Sequence, residues 1–250
     1  MHVLERDGRG PAVLCVHGYC QSYEYWRPTV ERLKAAGVQA MAPDLPGFGG
    51  SAGAAGPYTM EGYADALAAL VKSRALEPIV LVGGSMGGVV AQHLALRHPT
   101  RVSRLLLVAT GAYTADPAGA LAKADALASS AWSPETVRPI VEGFFHSRPA
   151  EVEIERLLAI ALQASQAAAV DAARSNANSR TLDRLDVIAV PTMIIQGRHD
   201  RARTPEHGAE MRDRIPGAQL AVIEEAGHTP HLEQPRAFHE IALPFLLAGR

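Results

Sequence analysis

The sequence predicts an α/β protein: a mostly parallel, doubly wound sheet of about seven to eight strands with an inserted all-helical block. Three observations point there. Short apolar runs rich in β-branched residues alternate with stretches of helical period. Each run is apolar nearly throughout, which is the pattern of strands covered on both faces. The alternation stops between residues 112 and 185, where Ala-rich helical stretches take over, and then resumes.

Taken in order, Val3 to Glu5 predicts a short strand, and Asp7-Gly8 is a turn signal leading back into the buried strand Pro11 to Val16. A loop follows His17-Gly18, then a helix over Tyr25 to Ala36 closed by Gly37. Val38 to Ala42 is the next strand, ending in the turn-rich Pro43 to Ser51. Met60 to Arg74 has an amphipathic helical pattern, and Ile79 to Val82 is a strand. Met86 to Arg97 is helical and stops before Pro99; Arg104 to Ala109 is a strand again. Within the helical block, Glu151 to Ala173 is the clearest stretch, and the polar Asn176 to Arg180 suggests a mobile connection. Strands over Val190 to Gln196 and Gln219 to Glu224 alternate with helices near Pro205 to Arg214 and over Pro235 to Leu247. The last strands are too few for a separate core, so tandem domains are the weaker reading. The expected organisation is a core of residues 1–111 and 186–250 with a helical cap over 112–185. The compressed N-terminus leaves room for about seven strands.

Bulk properties exclude several classes. At 250 residues the chain can bury a large core. A net charge of −2 with no basic run leaves no electrostatic footprint for nucleic acid or an anionic membrane. No apolar run approaches the roughly 20 residues of a membrane span. The charged start, Met-His-Val-Leu-Glu-Arg-Asp, lacks the apolar core of a signal peptide, so a cytoplasmic location is expected. Cys15 and Cys20 match no redox or zinc spacing and suggest free thiols, Cys15 within the core.

Chemistry concentrates at Ile79-Val-Leu-Val-Gly-Gly-Ser85-Met-Gly-Gly88. A serine at a sharp strand-to-helix turn has its hydroxyl lifted clear of the sheet, and the following helix N-terminus points N–H groups at an adjacent anion. A glycine-flanked serine is also a common turn, so the context must decide. A serine nucleophile needs a base, and the base needs an anion to hold its tautomer. In a parallel sheet these groups belong just beyond the C-terminal strand ends. Thr192 to Gln196 ends in Gly197-Arg-His-Asp200, and Gln219 to Glu224 ends in Glu225-Ala-Gly-His228. Asp200 also suits a turn or a helix cap. Of the other histidines, His93, His98, His207 and His239 lie on predicted helices or at their ends, His199 would point away from Asp200, and His17 suits loop shaping. His231 is the competitor, and strand-end position favours His228. Met86, the residue after the nucleophile, supplies one oxyanion donor through its backbone N–H.

With its order of Ser, Asp and His, the chain resembles the α/β-hydrolase family. His17-Gly18, Asp44-Leu-Pro-Gly-Phe-Gly-Gly-Ser51, Gly83-Gly-Ser-Met-Gly87, Gly197-Arg-His-Asp200 and Gly227-His-Thr-Pro-His-Leu-Glu233 all follow its pattern. The resemblance covers everything but the cap. It implies catalysis by Ser85, His228 and Asp200, with the second oxyanion donor on Tyr19 and Cys20 as its alternative. Asp116 is the fallback acid, because some relatives draw theirs from after the earlier strand, but Ala109-Thr-Gly-Ala has no acid at the strand end; Asp44 suits anchoring of its own loop. No cofactor and no metal are implied.

Serine at the elbow disfavours halide displacement and epoxide opening, which in relatives use aspartate. The expected reaction is hydrolysis of a small-molecule carboxylic ester or lactone, as in small esterases and enol-lactonases. Relatives with the same elbow hydrolyse carbon–carbon bonds of dienoic diketo acids, where cap cations hold a carboxylate; Arg138, Arg148, Arg156, Arg174 and Arg180 are available for that. Trp132, Phe144 and Phe145 are candidate pocket walls, though packing within the cap explains them equally. A small-molecule receptor on this fold rests on the fold alone. Substrate identity and oligomeric state are not readable.

Overall fold

The structure, a computed structural model, describes residues 1–248. Among the described residues seven strands form one sheet: β1 (Val3–Arg6), β2 (Arg9–Val16), β3 (Val38–Pro43), β4 (Ile79–Gly84), β5 (Val102–Val108), β6 (Thr192–Gly197) and β7 (Gln219–Ile223). Their spatial order is β1-β3-β2-β4-β5-β6-β7, and every pairing is parallel except that of β1 with β3. The expected β1–β2 hairpin is corrected. β1 lies antiparallel on the outer side of β3, with Val3 opposite Pro43, and β2 lies on its inner side. The Asp7-Gly8 turn carries the chain across the start of β3 instead of folding it back. A Cβ on Gly8 would sit 2.1 Å from the Gln39 backbone nitrogen, so only glycine permits the crossing.

The helices are α1 (Arg27–Ala35), α2 (Met60–Ser73), α3 (Met86–Arg97), α4 (Pro117–Ala128), α5 (Pro134–Glu142), α6 (Glu151–Leu162), α7 (Gln166–Asn178), α8 (Pro205–Arg214), α9 (Pro230–Glu233) and α10 (Pro235–Leu247). Alternate strand residues feed two apolar layers, as the period of two demands. Leu14, Val16, Leu81, Leu105, Leu107 and Ile194 face α2, α3 and α8. Val13, Cys15, Val80, Val82, Leu106 and Ile195 face Val30 and Leu33 of α1 and Phe238 and Leu246 of α10. Both cysteines are free and buried. Burial raises both thiols, Cys20 to about 12, so neither is ionised near neutrality.

Helices α4–α7 lie between β5 and β6. The block leaves and returns at one point: the Thr181 N–H donates to the Ala112 carbonyl at 2.8 Å. Gln92 of α3 donates to the neighbouring Gly111 carbonyl at 3.1 Å. Part of the expected connection is helical: Asn176 to Asn178 finish α7, and Ser179 Oγ lies 2.8 Å from His93 Nε2. Among the described residues no helix is long and apolar enough to cross a membrane.

Candidate active site

Ser85 joins β4 to α3 with φ 52 and ψ −120, a backbone region that non-glycine residues avoid. Two hydrogen bonds hold it there. Its N–H donates to the Val108 carbonyl at 2.9 Å, and its carbonyl accepts from Thr110 Oγ1 at 2.7 Å. The bend brings backbones so close that a Cβ on Gly87 would lie 2.4 Å from the Val16 and His17 carbonyls. Every residue of α3 from Met86 to Ala95 is buried, so the elbow rests on a helix packed on all sides.

The loops after β6 and β7 deliver Asp200 and His228 to Ser85. Ser85 Oγ lies 2.6 Å from His228 Nε2, and His228 Nδ1 lies 2.7 Å from Asp200 Oδ2. Asp200 Oδ1 also accepts from the Ala202 and Arg203 N–H groups at 2.8 and 2.9 Å. The fully buried carboxylate is thus an acceptor on both oxygens, which puts the His228 proton on Nδ1 and leaves Nε2 to accept from the serine. Such a chain can take a proton from Ser85 Oγ as it attacks and hold the resulting cation against Asp200.

The Gly18–Tyr19 loop lies directly against the serine: a Cβ on Gly18 would be 3.1 Å from Ser85 Cβ. His17 shapes this loop. Its Nδ1–H donates to the Gly18 carbonyl at 2.8 Å while Nε2 accepts from the Leu45 N–H at 3.0 Å. Burial pushes its pKa down, opposed by Asp44. Among the described residues the Tyr19 and Met86 N–H groups have no hydrogen-bond acceptor, so both remain available to an anion beside Ser85. Cys20 has φ 54 and is fully buried.

The other candidates have different work. Asp44 takes the Tyr23 and Gly50 N–H groups at 2.7 and 2.8 Å and so braces its own loop. Asp116 caps α4 through the Gly119 N–H. His231 lies buried with its ring stacked on Trp26 at 4.3 Å, and neither of its ring nitrogens has a hydrogen-bond partner among the described residues.

Two contacts around His228 were not read from the sequence. Its N–H donates to the Phe144 carbonyl at 2.9 Å. Glu233, at the end of α9, accepts from the Gly227 N–H (2.9 Å) and Thr229 N–H (3.2 Å) through Oε1, and from the His146 N–H (2.7 Å) through Oε2. One carboxylate therefore clamps the His228 loop to the loop after α5. The only sequence signal was an acid five residues past the histidine, on a helix too short to leave a periodic pattern.

Of the pocket candidates, Phe144 lies nearest the chemistry, its ring 5.8 Å from that of His228. Phe145 lines an outer cleft with His146 and His199. Trp132 packs within the helical block, its indole N–H reaching the Leu162 carbonyl at 3.4 Å. An apolar cavity of about 520 Å³ lies among α4, α5 and α7, lined by Ala124, Leu127, Ile140 and Ala173. It does not touch Ser85 or His228; Tyr19 is the wall it shares with the loop beside the serine.

The sequence model of the Alpha/beta hydrolase family matches residues 13–241. The pimeloyl-[acyl-carrier protein] methyl ester esterase of Neisseria meningitidis serogroup B is 32% identical over 250 residues, covering 95% of this chain and 93% of that protein. Among solved structures, a thermophilic esterase from Thermogutta terrifontis is 30% identical with a TM-score of 0.84, covering 98% of this chain and 92% of that one. The enol-lactonase from Burkholderia xenovorans LB400 shares the fold at a TM-score of 0.90 and 23% identity, covering 98% and 96%.

Proposed function

Because the chain belongs to the alpha/beta hydrolase family and is a hydrolase of the esterase type, we propose that it cleaves a carboxylic ester or lactone through a serine acyl-enzyme. The observation that carries this reading is the hydrogen-bonded chain from Ser85 through His228 to Asp200. Ser85 Oγ attacks the carbonyl carbon as His228 Nε2 takes its proton. The Tyr19 and Met86 N–H groups receive the charge that develops on the carbonyl oxygen; one such donor contributes about 2.7–4 kcal/mol to lowering the barrier. His228 then protonates the departing alkoxide, and the acyl group stays on Ser85. A water, deprotonated by the same imidazole, attacks the acyl carbon; the acid leaves and Ser85 recovers its proton.

The name of the Neisseria relatives supports an ester of a small alcohol with an acyl chain. The cavity beside Tyr19 has the size and apolar lining for such a chain. Hydrolysis of a carbon–carbon bond in a dienoic diketo acid finds less support. The cap arginines that would hold its carboxylate are already paired: Arg138 with Glu151, Arg148 with Glu142, Arg156 with Glu153, Arg174 with Asp125 and Arg180 with Asp183.

A fluorophosphonate probe is expected to label Ser85 in the wild-type protein, with no labelling of Ser85→Ala. Turnover of short p-nitrophenyl esters is expected to fall on the order of a million-fold in that variant. Labelling at another residue, or equal turnover by Ser85→Ala, would overturn the mechanism. Absence of turnover on esters and lactones alongside cleavage of a coloured dienoic substrate would move the assignment to the carbon–carbon bond.

A further inference from the structure

We propose that His146, His199 and Glu225 form a binding site for a divalent transition-metal ion of the Zn²⁺ or Co²⁺ type at the outer rim of the active-site cleft. The three come from the loops after α5, β6 and β7, so no sequence spacing announces them. One ligand atom from each lies within 4.8 Å of the other two. A tetrahedral ion with bonds of 2.0–2.2 Å needs ligand atoms about 3.4 Å apart, so the side chains need close by no more than about 1.4 Å. All three are exposed and can do so by turning about their side-chain bonds. The imidazoles already stack at 3.8 Å and 13°, and ligation requires them to tilt toward one another.

Two further observations favour a site over a chance cluster. The side chains of His146, His199 and Glu225 make no hydrogen bond or ion pair among the described residues, although His199 has the Glu224 carboxylate as an electrostatic neighbour. Their backbones, by contrast, are pinned. The His146 N–H donates to Glu233, the His199 N–H to the Ala226 carbonyl at 2.9 Å, and the Glu225 carbonyl accepts from Gln234 Nε2 at 2.8 Å. With the backbones fixed, only side-chain rotamers remain to be ordered on binding.

Two imidazoles and one carboxylate suit a borderline divalent ion better than Mg²⁺ or Ca²⁺, and exposure leaves a fourth position for water. The charges nearby are mixed. Arg201 lines the same cleft and opposes a cation, whereas Arg198 is neutralised by Glu224. Because His146 belongs to the helical block and the other two ligands to the core, a bound ion ties one to the other.

The test is titration of the purified protein with Co²⁺, followed by its visible d–d absorption and by the shift in thermal midpoint. One equivalent is expected to bind and raise the midpoint. His146→Ala and His199→Ala are each expected to weaken binding at least tenfold, and Glu225→Gln several-fold. His98→Gln, remote and paired with Asp65, is expected to bind as the wild type does. Each variant's metal-free midpoint reports its folding. No binding at millimolar Co²⁺, or affinity within twofold of wild type in either histidine variant, overturns the proposal; the second result would place the ion elsewhere, His228 included. Neither readout uses ester turnover, so this test and that of the hydrolytic reading fail independently.

Discussion

Three positions apart, His228 and His231 carry the same ring into opposite surroundings. His228 spends both nitrogens between Asp200 and Ser85. Among the described residues His231 has no hydrogen-bond partner for either nitrogen, and burial pushes its pKa down to about 3. The neighbouring His239 and His228 press in the same direction. Unfolded, the ring takes a proton near pH 6.5; folded, it stays neutral until about 3. Its contribution to stability is therefore complete above pH 6.5 and is lost as pH falls from there toward 3. One such histidine changes unfolding free energy by at most about 1.4 kcal/mol per pH unit. His17, His93, His207 and His239 are also lowered and share this acid limb. His231→Phe keeps a ring on Trp26 and removes one titration. Urea unfolding at pH 7 and pH 5 should show a smaller loss for the variant, with stability at pH 7 unchanged or higher because two unpaired polar atoms are gone. Equal losses in both proteins would refute this account of His231.

At the level of elements, the short helix α9 does more than its four residues suggest. Its Glu233 holds Gly227 and Thr229, on either side of His228, and His146 across the cleft. Glu233→Ala leaves these N–H groups without their acceptor, at about 1–3 kcal/mol for each one that stays buried. The expected result is a lower thermal midpoint together with a roughly tenfold or greater fall in kcat, as the imidazole loses its fixed position. Glu233→Gln keeps one acceptor oxygen for Gly227 and Thr229 but turns an NH₂ toward the His146 N–H. It should fall between wild type and Ala in both measurements. A lower midpoint with kcat unchanged would make the clamp purely structural. Neither this clamp nor the Phe144 carbonyl was legible in the sequence, because both join segments about 85 residues apart, the first through one carboxylate to backbone N–H groups and the second between two backbone groups. What was legible had local causes. The bounds of α3, α8 and α10 agree with expectation because Ser85, Pro205 and Pro235 mark their starts. Ser85, Asp200 and His228 were readable since each follows an apolar run, and parallel strands deliver their ends to one edge. The expected single stretch from Glu151 to Ala173 is two helices parted at Gln163 to Ser165, a break that an Ala-rich pattern conceals. Asp7-Gly8 announced a turn but not which strand β1 would join, since that depends on β3, some 30 residues on.

For the whole molecule, the question is whether the helical block is an accessory or part of the core. Its ends meet where Thr181 bonds Ala112, so residues 113–180 could be replaced by a short Gly-Ser linker without stretching the chain. The packing argues that the remainder would not stand. Val137, Val141, Leu157, Leu158 and Ile160 of the block belong to the same apolar cluster as Tyr25, Phe48, Met60, Tyr63 and Met86 of the helices and loops that cover the sheet. Polar ties cross the same boundary: the Ser165 N–H donates to the Gly47 carbonyl at 2.9 Å, and the Met60 N–H to Ser175 Oγ at 3.0 Å. Uncovering a large apolar side chain costs about 1.5–3 kcal/mol, so five of them cost as much as the roughly 5–15 kcal/mol by which a folded domain is stable. The opposite face, built on α1 and α10, contains no residue of the block among the described residues and would keep its packing. The excised protein is therefore expected to retain helical far-UV dichroism but to bind an apolar dye and to unfold without a sharp transition. Scanning calorimetry and dye fluorescence, compared with the full chain, decide it. A cooperative transition without dye binding would show the block to be a separable lid, and would shift responsibility for the alignment of His228 to the sheet alone.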